Sequence, residues 1–314
     1  KKYRLLLKIL KKMMNIRIIN IYRRTVNVDK CINLIKVLDF ALLISPLLII
    51  ASLADYMMAF SLVEFIILFF GLLLFHASGF LLKLYSFNRK DAYEPVNVSV
   101  FRRIMYDSFN LKQKMILNLI VITSVLAFCA CVFFVYKSGY PTLIFALTAI
   151  VFTVFFNNIV KAGYGEFVVF LAYGPLTTLG GYYAITQRID MLPIVAAIPI
   201  GLFAAAIELM KNTHFVMVDS RDRLIVPYIR IKNLAIIVGA GFFMLALNSA
   251  LGYMPYWTLL GLIPLPLAIL FINILRTIDE ALNPLYLSII ILYIILLTVG
   301  AFIALGYWLD LLLA

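Results

Sequence analysis

Charge is what this chain has least of. Only 13% of its 314 residues are charged, against about 25% in an ordinary soluble domain. Acids are the scarcest kind, 15 Asp and Glu against 27 Lys and Arg. With so few charges and 65% hydrophobic residues, a soluble globular fold is excluded. Cysteine is also scarce. Cys129 and Cys131 are two apart in an apolar run, so on a helix they point away from each other, and Cys31 is distant. Neither a disulfide framework nor a cysteine metal site fits. The two histidines, His76 and His214, have no metal-type partner nearby in sequence. His76 reads as a packing or hydrogen-bonded residue, and His214 as a candidate phosphate contact.

What is abundant is long apolar sequence. Nine runs approach bilayer length, at approximately 33–54, 59–82, 115–136, 140–158, 165–185, 191–210, 233–251, 256–275 and 285–309. They predict an all-α polytopic membrane protein of nine transmembrane helices. No cleavable signal peptide is expected, because the start is too polar and the first apolar run too long.

The net charge of +12 raises nucleic acid as a partner, but its distribution argues against that. With the N-terminus in the cytoplasm, only Lys137 and Arg188 of the basic residues fall on the far side. That asymmetry predicts a protein of the cytoplasmic membrane with its polar loops facing the cytoplasm. Residues 1–32 form a separate basic segment, read as an amphipathic helix on anionic lipid or as a basic tail. Residues 33–314 form the membrane domain.

Two polar loops interrupt the apolar runs, 83–114 and 211–232. They follow the second and sixth spans, which suggests two four-helix halves and a ninth helix around one cytoplasm-facing cavity. In the first loop, Asn88, Asp91 and Glu94 recur every third residue, and in the second Asp219 and Asp222 share that spacing. Carboxylate pairs with phosphate oxygens are a Mg²⁺ arrangement. Arg89, Lys161, Arg221 and Arg223 would balance the remaining phosphate charge. Two such loops over an apolar cavity suit a lipid diphosphate, whose ionisation needs its leaving group stabilised. The plainer alternative is a pair of solvated turns rich in lipid-contacting cations. Tyr182 or Tyr183 could turn a ring face toward an allylic cation, although both lie near the far end of the fifth span. Asp39, Glu166 and Glu208 lie near the cytoplasmic ends of spans, where an intramembrane acid is a functional candidate.

The stretch GYGEFVVFLAYGPLTTLGGYYAITQ, from Gly163 to Gln187, resembles the UbiA superfamily of intramembrane prenyltransferases. It looks most like the dihydroxynaphthoate polyprenyltransferase branch of menaquinone biosynthesis. The matching residues are Gly163, Gly165, Glu166, Gly174, Pro175, Leu179, Gly180, Tyr182, Tyr183 and Gln187. The resemblance implies a nine-helix bundle with a central cavity and Mg²⁺-dependent transfer of a polyprenyl group to an aromatic or lipid acceptor. The family's first Asp-rich element, N-D-x-x-D, falls on Lys83, Leu84, Tyr85, Ser86 and Phe87. Its second, N-N-x-R-D-x-x-x-D, retains Asn212 and Asp219, with His214 in place of the arginine and Phe215 in place of the first aspartate. Lys161 stands where the family has a tyrosine.

Two readings of function follow. In one, Asp91, Asp219 and Lys161 act in catalysis. Asp91, Glu94, Asp219 and Asp222 hold Mg²⁺, and Asn88, Arg89, Asn212, His214, Arg221 and Arg223 bind the diphosphate. In the other, a catalytically impaired homologue keeps the cavity and binds a quinone or isoprenoid lipid, or serves as a subunit of a membrane complex. A transporter is disfavoured by the short outer loops and the shortage of mid-span charges other than Glu64.

Overall fold

The computed structural model describes residues 28–90, 112–211, 217–218, 224–225, 228–276 and 282–313. They form α1 (Val28–Ala41), α2 (Ile44–Tyr56), α3 (Leu62–Lys90), α4 (Gln113–Ser138), α5 (Tyr140–Lys161), α6 (Gly165–Leu171), a π turn (Ala172–Leu176), α7 (Thr177–Thr186), α8 (Met191–Lys211), α9 (Tyr228–Ala250), a 3₁₀ segment (Tyr256–Leu262), α10 (Leu265–Arg276) and α11 (Leu282–Leu313). A two-residue antiparallel pair, β1 (Met217–Val218) with β2 (Leu224–Ile225), lies in the second polar loop.

Among the described residues, eight helical stretches are long and apolar enough to cross a membrane. The fourth expected span differs. Its apolar portion, Tyr140–Phe156, is shorter than the others, although α5 continues to Lys161. The all-α polytopic architecture stands, with eight full-length spans and this shorter apolar helix. In lipid this is the economical design, because a helix satisfies its own backbone hydrogen bonds.

Three breaks in the helices position the site. The first is between α1 and α2. Pro46 has no amide hydrogen to offer the carbonyl of Leu42, and its ring crowds that carbonyl. The chain turns at Leu42 and Leu43, whose amides reach back to Asp39 and Phe40 at 3.4 and 3.3 Å. The second break is the π turn. Gly174 there has φ −98° and ψ −107°, outside the helical range, and Pro175 follows it. A glycine is needed because α8 passes directly behind, so that a Cβ on Gly174 would lie 2.9 Å from Gly201 Cα. Gly201 in turn sits against the Phe170 carbonyl. Small residues at a crossing let two membrane helices approach closely. The third break is Gly139, whose φ of +84° turns α4 into α5 and favours glycine.

Helix α11 packs along α2 and the 3₁₀ segment, while α8 packs against α6, α9 and α11. Ser45 illustrates the closeness. Its hydroxyl donates to the Leu296 carbonyl at 2.9 Å, in space that a Cβ on Gly300 would occupy. Burial is uneven. Most of α8 is buried inside the bundle, whereas most of α4 is not. The core is therefore built on α2, α8 and α11, and α4 presents most of its surface to lipid.

Candidate functional site

A cavity of about 140 Å³ opens between α1, α3, α5, α6 with its π turn, and α8. Its walls follow from helical periodicity, since residues three, four and seven apart share a face. Helix α3 contributes Leu72, His76, Gly79, Phe80 and Lys83. Helix α5 supplies Ala149, Phe152, Thr153 and Phe156, and α8 supplies Ala204, Ile207, Glu208 and Lys211. The bend after α1 adds Asp39, Leu42 and Leu43, and the π turn swings Tyr173 into the lining. Most of the wall is apolar, and the charges collect at one end.

That end is tied by a buried ion pair. Lys211 Nζ pairs with Asp39 Oδ1, and Tyr293 from α11 donates its hydroxyl to the same oxygen at 2.6 Å. Lys211 also lies 5.3 Å from the centre of the Tyr293 ring. A buried carboxylate is costly unless it is paired and hydrogen-bonded, and Asp39 has both kinds of partner. Lys83 Nζ stands 3.6 Å from the centre of the Phe156 ring, a cation–π contact. Two turns further in, Tyr173 Oη and His76 Nδ1 are 2.7 Å apart. The Phe40 ring meets the imidazole edge-on at 5.2 Å.

The expected site residues divide into two groups. Asn88 and Arg89 belong to the last turns of α3, and Lys161 ends α5. Asp91, Glu94, Asn212, His214, Asp219, Arg221, Asp222 and Arg223 lie outside the described residues, as does most of the basic segment 1–32. Helix α3 ends one residue before Asp91, and α8 ends one residue before Asn212. Both helices carry a cavity lysine near that end. Among the described residues, no cluster of three or more His, Cys, Asp or Glu has metal-site geometry.

The ring-face role considered for Tyr182 and Tyr183 is corrected by their positions. Tyr182 donates to Asp190 at 2.6 Å, and Tyr183 donates to the Ser138 carbonyl at 2.8 Å. Both bonds lie at the opposite end of the bundle, and neither tyrosine lines the cavity. Tyr173 takes the position at the cavity instead. A stripe count through the Gly163–Gln187 stretch would have placed it on the face of Val169 and Ala172. Tyr293 gave no signal, because a tyrosine in a uniformly apolar span has no distinguishing neighbours.

Fold and cavity thus define a polytopic α-helical membrane protein with a largely apolar cavity carrying lysines at one end. No protein-family model matches the chain. A stretch of 117 residues is 26% identical to a 1,4-dihydroxy-2-naphthoate octaprenyltransferase of Mycobacterium tuberculosis (strain ATCC 25618 / H37Rv). The match covers 34% of this chain and 38% of that relative, a distant similarity over a minority of both.

Proposed function

We propose that this protein is a UbiA-like membrane prenyltransferase, moving a polyprenyl group from its diphosphate to an aromatic or lipid acceptor. The observation that carries this reading is the cavity, apolar along its walls and bounded by Lys83 and Lys211 at its charged end. An isoprenoid diphosphate has the matching polarity, with an anionic head and a hydrocarbon tail. The distant similarity to an octaprenyltransferase supports the same class. The chamber is small beside the ~300–1,000 Å³ of common ligand sites. It suits the head-proximal part of the lipid, and a long tail would continue between helices into the bilayer.

The geometry supports the following division of work. Lys83 and Lys211 attract the diphosphate. Asp39 and Tyr293 hold Lys211 in place. The apolar walls exclude water from the first isoprene unit, so that a cation formed there is not quenched by hydrolysis. In transfer, the C–O bond of the allylic diphosphate breaks and the diphosphate leaves with the electron pair. The acceptor forms the new bond to that carbon and loses a proton. Stabilising the leaving group is the principal electrostatic requirement.

Mg²⁺ is the cation that this chemistry implies. The described cavity acids do not by themselves make a site for it, since Asp39 Oδ1 is engaged by both Lys211 and Tyr293. We assign that role to Asp91, Glu94, Asp219 and Asp222, whose segments continue from the α3 and α8 ends that carry Lys83 and Lys211. Bound there, Mg²⁺ would neutralise charge on the departing diphosphate. Asn88, Arg89, Lys161, Asn212, His214, Arg221 and Arg223 complete the proposed head-group shell.

Lys83 favours a second reading. It occupies the cavity where the resemblance leads one to expect the first Asp-rich element. A fixed cation there binds a diphosphate without metal and makes capture easier than ionisation. On that reading the protein binds an isoprenoid or quinone, or serves as a subunit of a membrane complex. Turnover of a polyprenyl diphosphate with aromatic acceptors by the purified protein separates the two. Prenylated product that disappears in Asp91→Ala and Asp219→Ala, with folding intact, supports transfer. Diphosphate binding without product supports the second reading.

A further inference from the structure

We infer that His76 is the donor that recognises an oxygen of an uncharged aromatic ligand in the cavity, with Tyr173 fixing the imidazole tautomer that makes this possible. The inference deepens the prenyl-transfer reading and rests on it, because it names the group that would orient the acceptor.

Hydrogen-bond accounting leads to it. Most polar side chains of the cavity wall are engaged. Asp39 takes Lys211 and Tyr293. Thr153 donates to the Ala149 carbonyl at 2.9 Å, and Thr177 to the Ala172 carbonyl. Lys83 and Glu208 also have partners. His76 Nε2 is enclosed and has none among the described residues. Among the described residues, three other enclosed polar atoms lack partners, on Thr142, Thr178 and Tyr307, and none of these residues lines the cavity.

The tautomer follows from the other ring nitrogen. Among the described residues, His76 is the one hydrogen-bond partner of Tyr173. A buried hydroxyl donates where it can, so Tyr173 gives its proton to Nδ1. A neutral imidazole carries its own proton on the remaining nitrogen. Nε2–H is then a donor awaiting an acceptor oxygen.

Surroundings select the kind of oxygen. Phe40 and Tyr173 meet the imidazole edge-on, and Phe75, Phe80 and Phe152 line the same chamber. A flat aromatic ring fits among them. His76 and Lys83 are seven residues apart on one face of α3, roughly 10 Å along the axis at 1.5 Å per residue. The lysines serve the anionic head, and the neutral donor lies deeper, where a carbonyl or phenolic oxygen is the better match.

The test uses the purified full chain in nanodiscs with two probes of one shape. These are 2-methyl-1,4-naphthoquinone, and 2-methylnaphthalene, which lacks the oxygens. The wild type should prefer the quinone by roughly 3- to 10-fold, the range of one net hydrogen bond. His76→Phe should erase the preference, and His76→Gln, which restores an amide donor, should recover part of it. ¹⁵N-histidine spectra supply a readout that does not depend on affinity. The chain has two histidines, and the signal absent from His76→Phe is that of His76. It should report an Nε2-protonated ring whose Nε2–H shifts on adding the quinone. Tyr173→Phe should mix the tautomers and weaken the preference. Equal affinity of the wild type for both probes overturns the inference, as does an Nδ1-protonated ring or an Nε2–H that shifts only with geranylgeranyl diphosphate. Failure of the wild type to bind geranylgeranyl diphosphate would instead sink the prenyl-transfer reading, while a His76-dependent quinone preference left standing would keep the site.

Discussion

The two ends of the bundle carry similar polar groups in different surroundings. At the end opposite the cavity, Lys137 pairs with Glu64, Tyr182 bonds Asp190 and Tyr56 donates to Asp310 at 3.1 Å. The Lys137 and Glu64 side chains remain 26% and 20% exposed. At the cavity end, Lys211 and Asp39 are 8% and 12% exposed, and Tyr293 beside them is fully buried. One end uses polar contacts as ties between helices at the bundle's edge. The other buries charge beside an apolar cavity. A membrane protein accepts that cost where a ligand needs the charge, so the contrast separates ties from site although both are ion pairs.

Substitutions can break this comparison. The largest effect is expected for Lys211→Ala, which leaves Asp39 buried without its cation. Thermal unfolding in detergent should show a loss of about 3–5 kcal/mol, whereas Lys137→Ala should cost about 0–1 kcal/mol. Similar losses at both ends would remove the distinction. Combining Lys211→Met with Asp39→Asn should restore much of the stability without restoring diphosphate binding, since both charges are gone.

Gly201→Leu comes next. Its side chain would meet the Phe170 carbonyl and ring, and overpacking of this kind costs about 1–3 kcal/mol. The crossing of α6 with α8 should open, and unfolding should occur at lower temperature. Tyr293→Phe removes one hydrogen bond to Asp39 and should cost about 1 kcal/mol. The smallest effect on stability is expected for Lys83→Ala, about 0.5–1 kcal/mol for the loss of its cation–π contact with Phe156. That variant should nevertheless bind a polyprenyl diphosphate roughly 10-fold more weakly, corresponding to about 1.4 kcal/mol. The separation of stability from binding makes it the sharpest of the set.

The sequence made the fold legible because hydrocarbon-length runs have few alternatives in lipid. Eight runs became full-length spans, and the fourth, expected at 140–158, became a shorter apolar helix, Tyr140–Phe156. Within the runs, periodicity carries less information. A span apolar on every face does not show which stripe meets a cavity, so nothing in the sequence marks Tyr293 or Tyr173 as cavity-end residues. Asp39 stood out because a carboxylate in an apolar run requires a partner, but that its partner is Lys211, 172 residues away, is a fact of packing. Tyr182 and Tyr183 were conspicuous as a pair, yet the π turn at Gly174 separates them from the chamber. Lys83 was legible only as an unfavourable residue in a metal register, and the structure gives it a place on the cavity wall.

The most direct measurement is the affinity of purified wild-type protein and Lys83→Ala for geranylgeranyl diphosphate, each with Mg²⁺ and with chelator. The proposed site requires saturable binding by the wild type, roughly 10-fold weaker binding by Lys83→Ala in both conditions, and a further loss with chelator reporting the acids of the two polar loops. Binding retained in chelator but lost with Lys83 would favour capture over transfer. Wild-type binding that is absent, or unchanged by Lys83→Ala, would contradict the assignment of this cavity to an isoprenoid diphosphate.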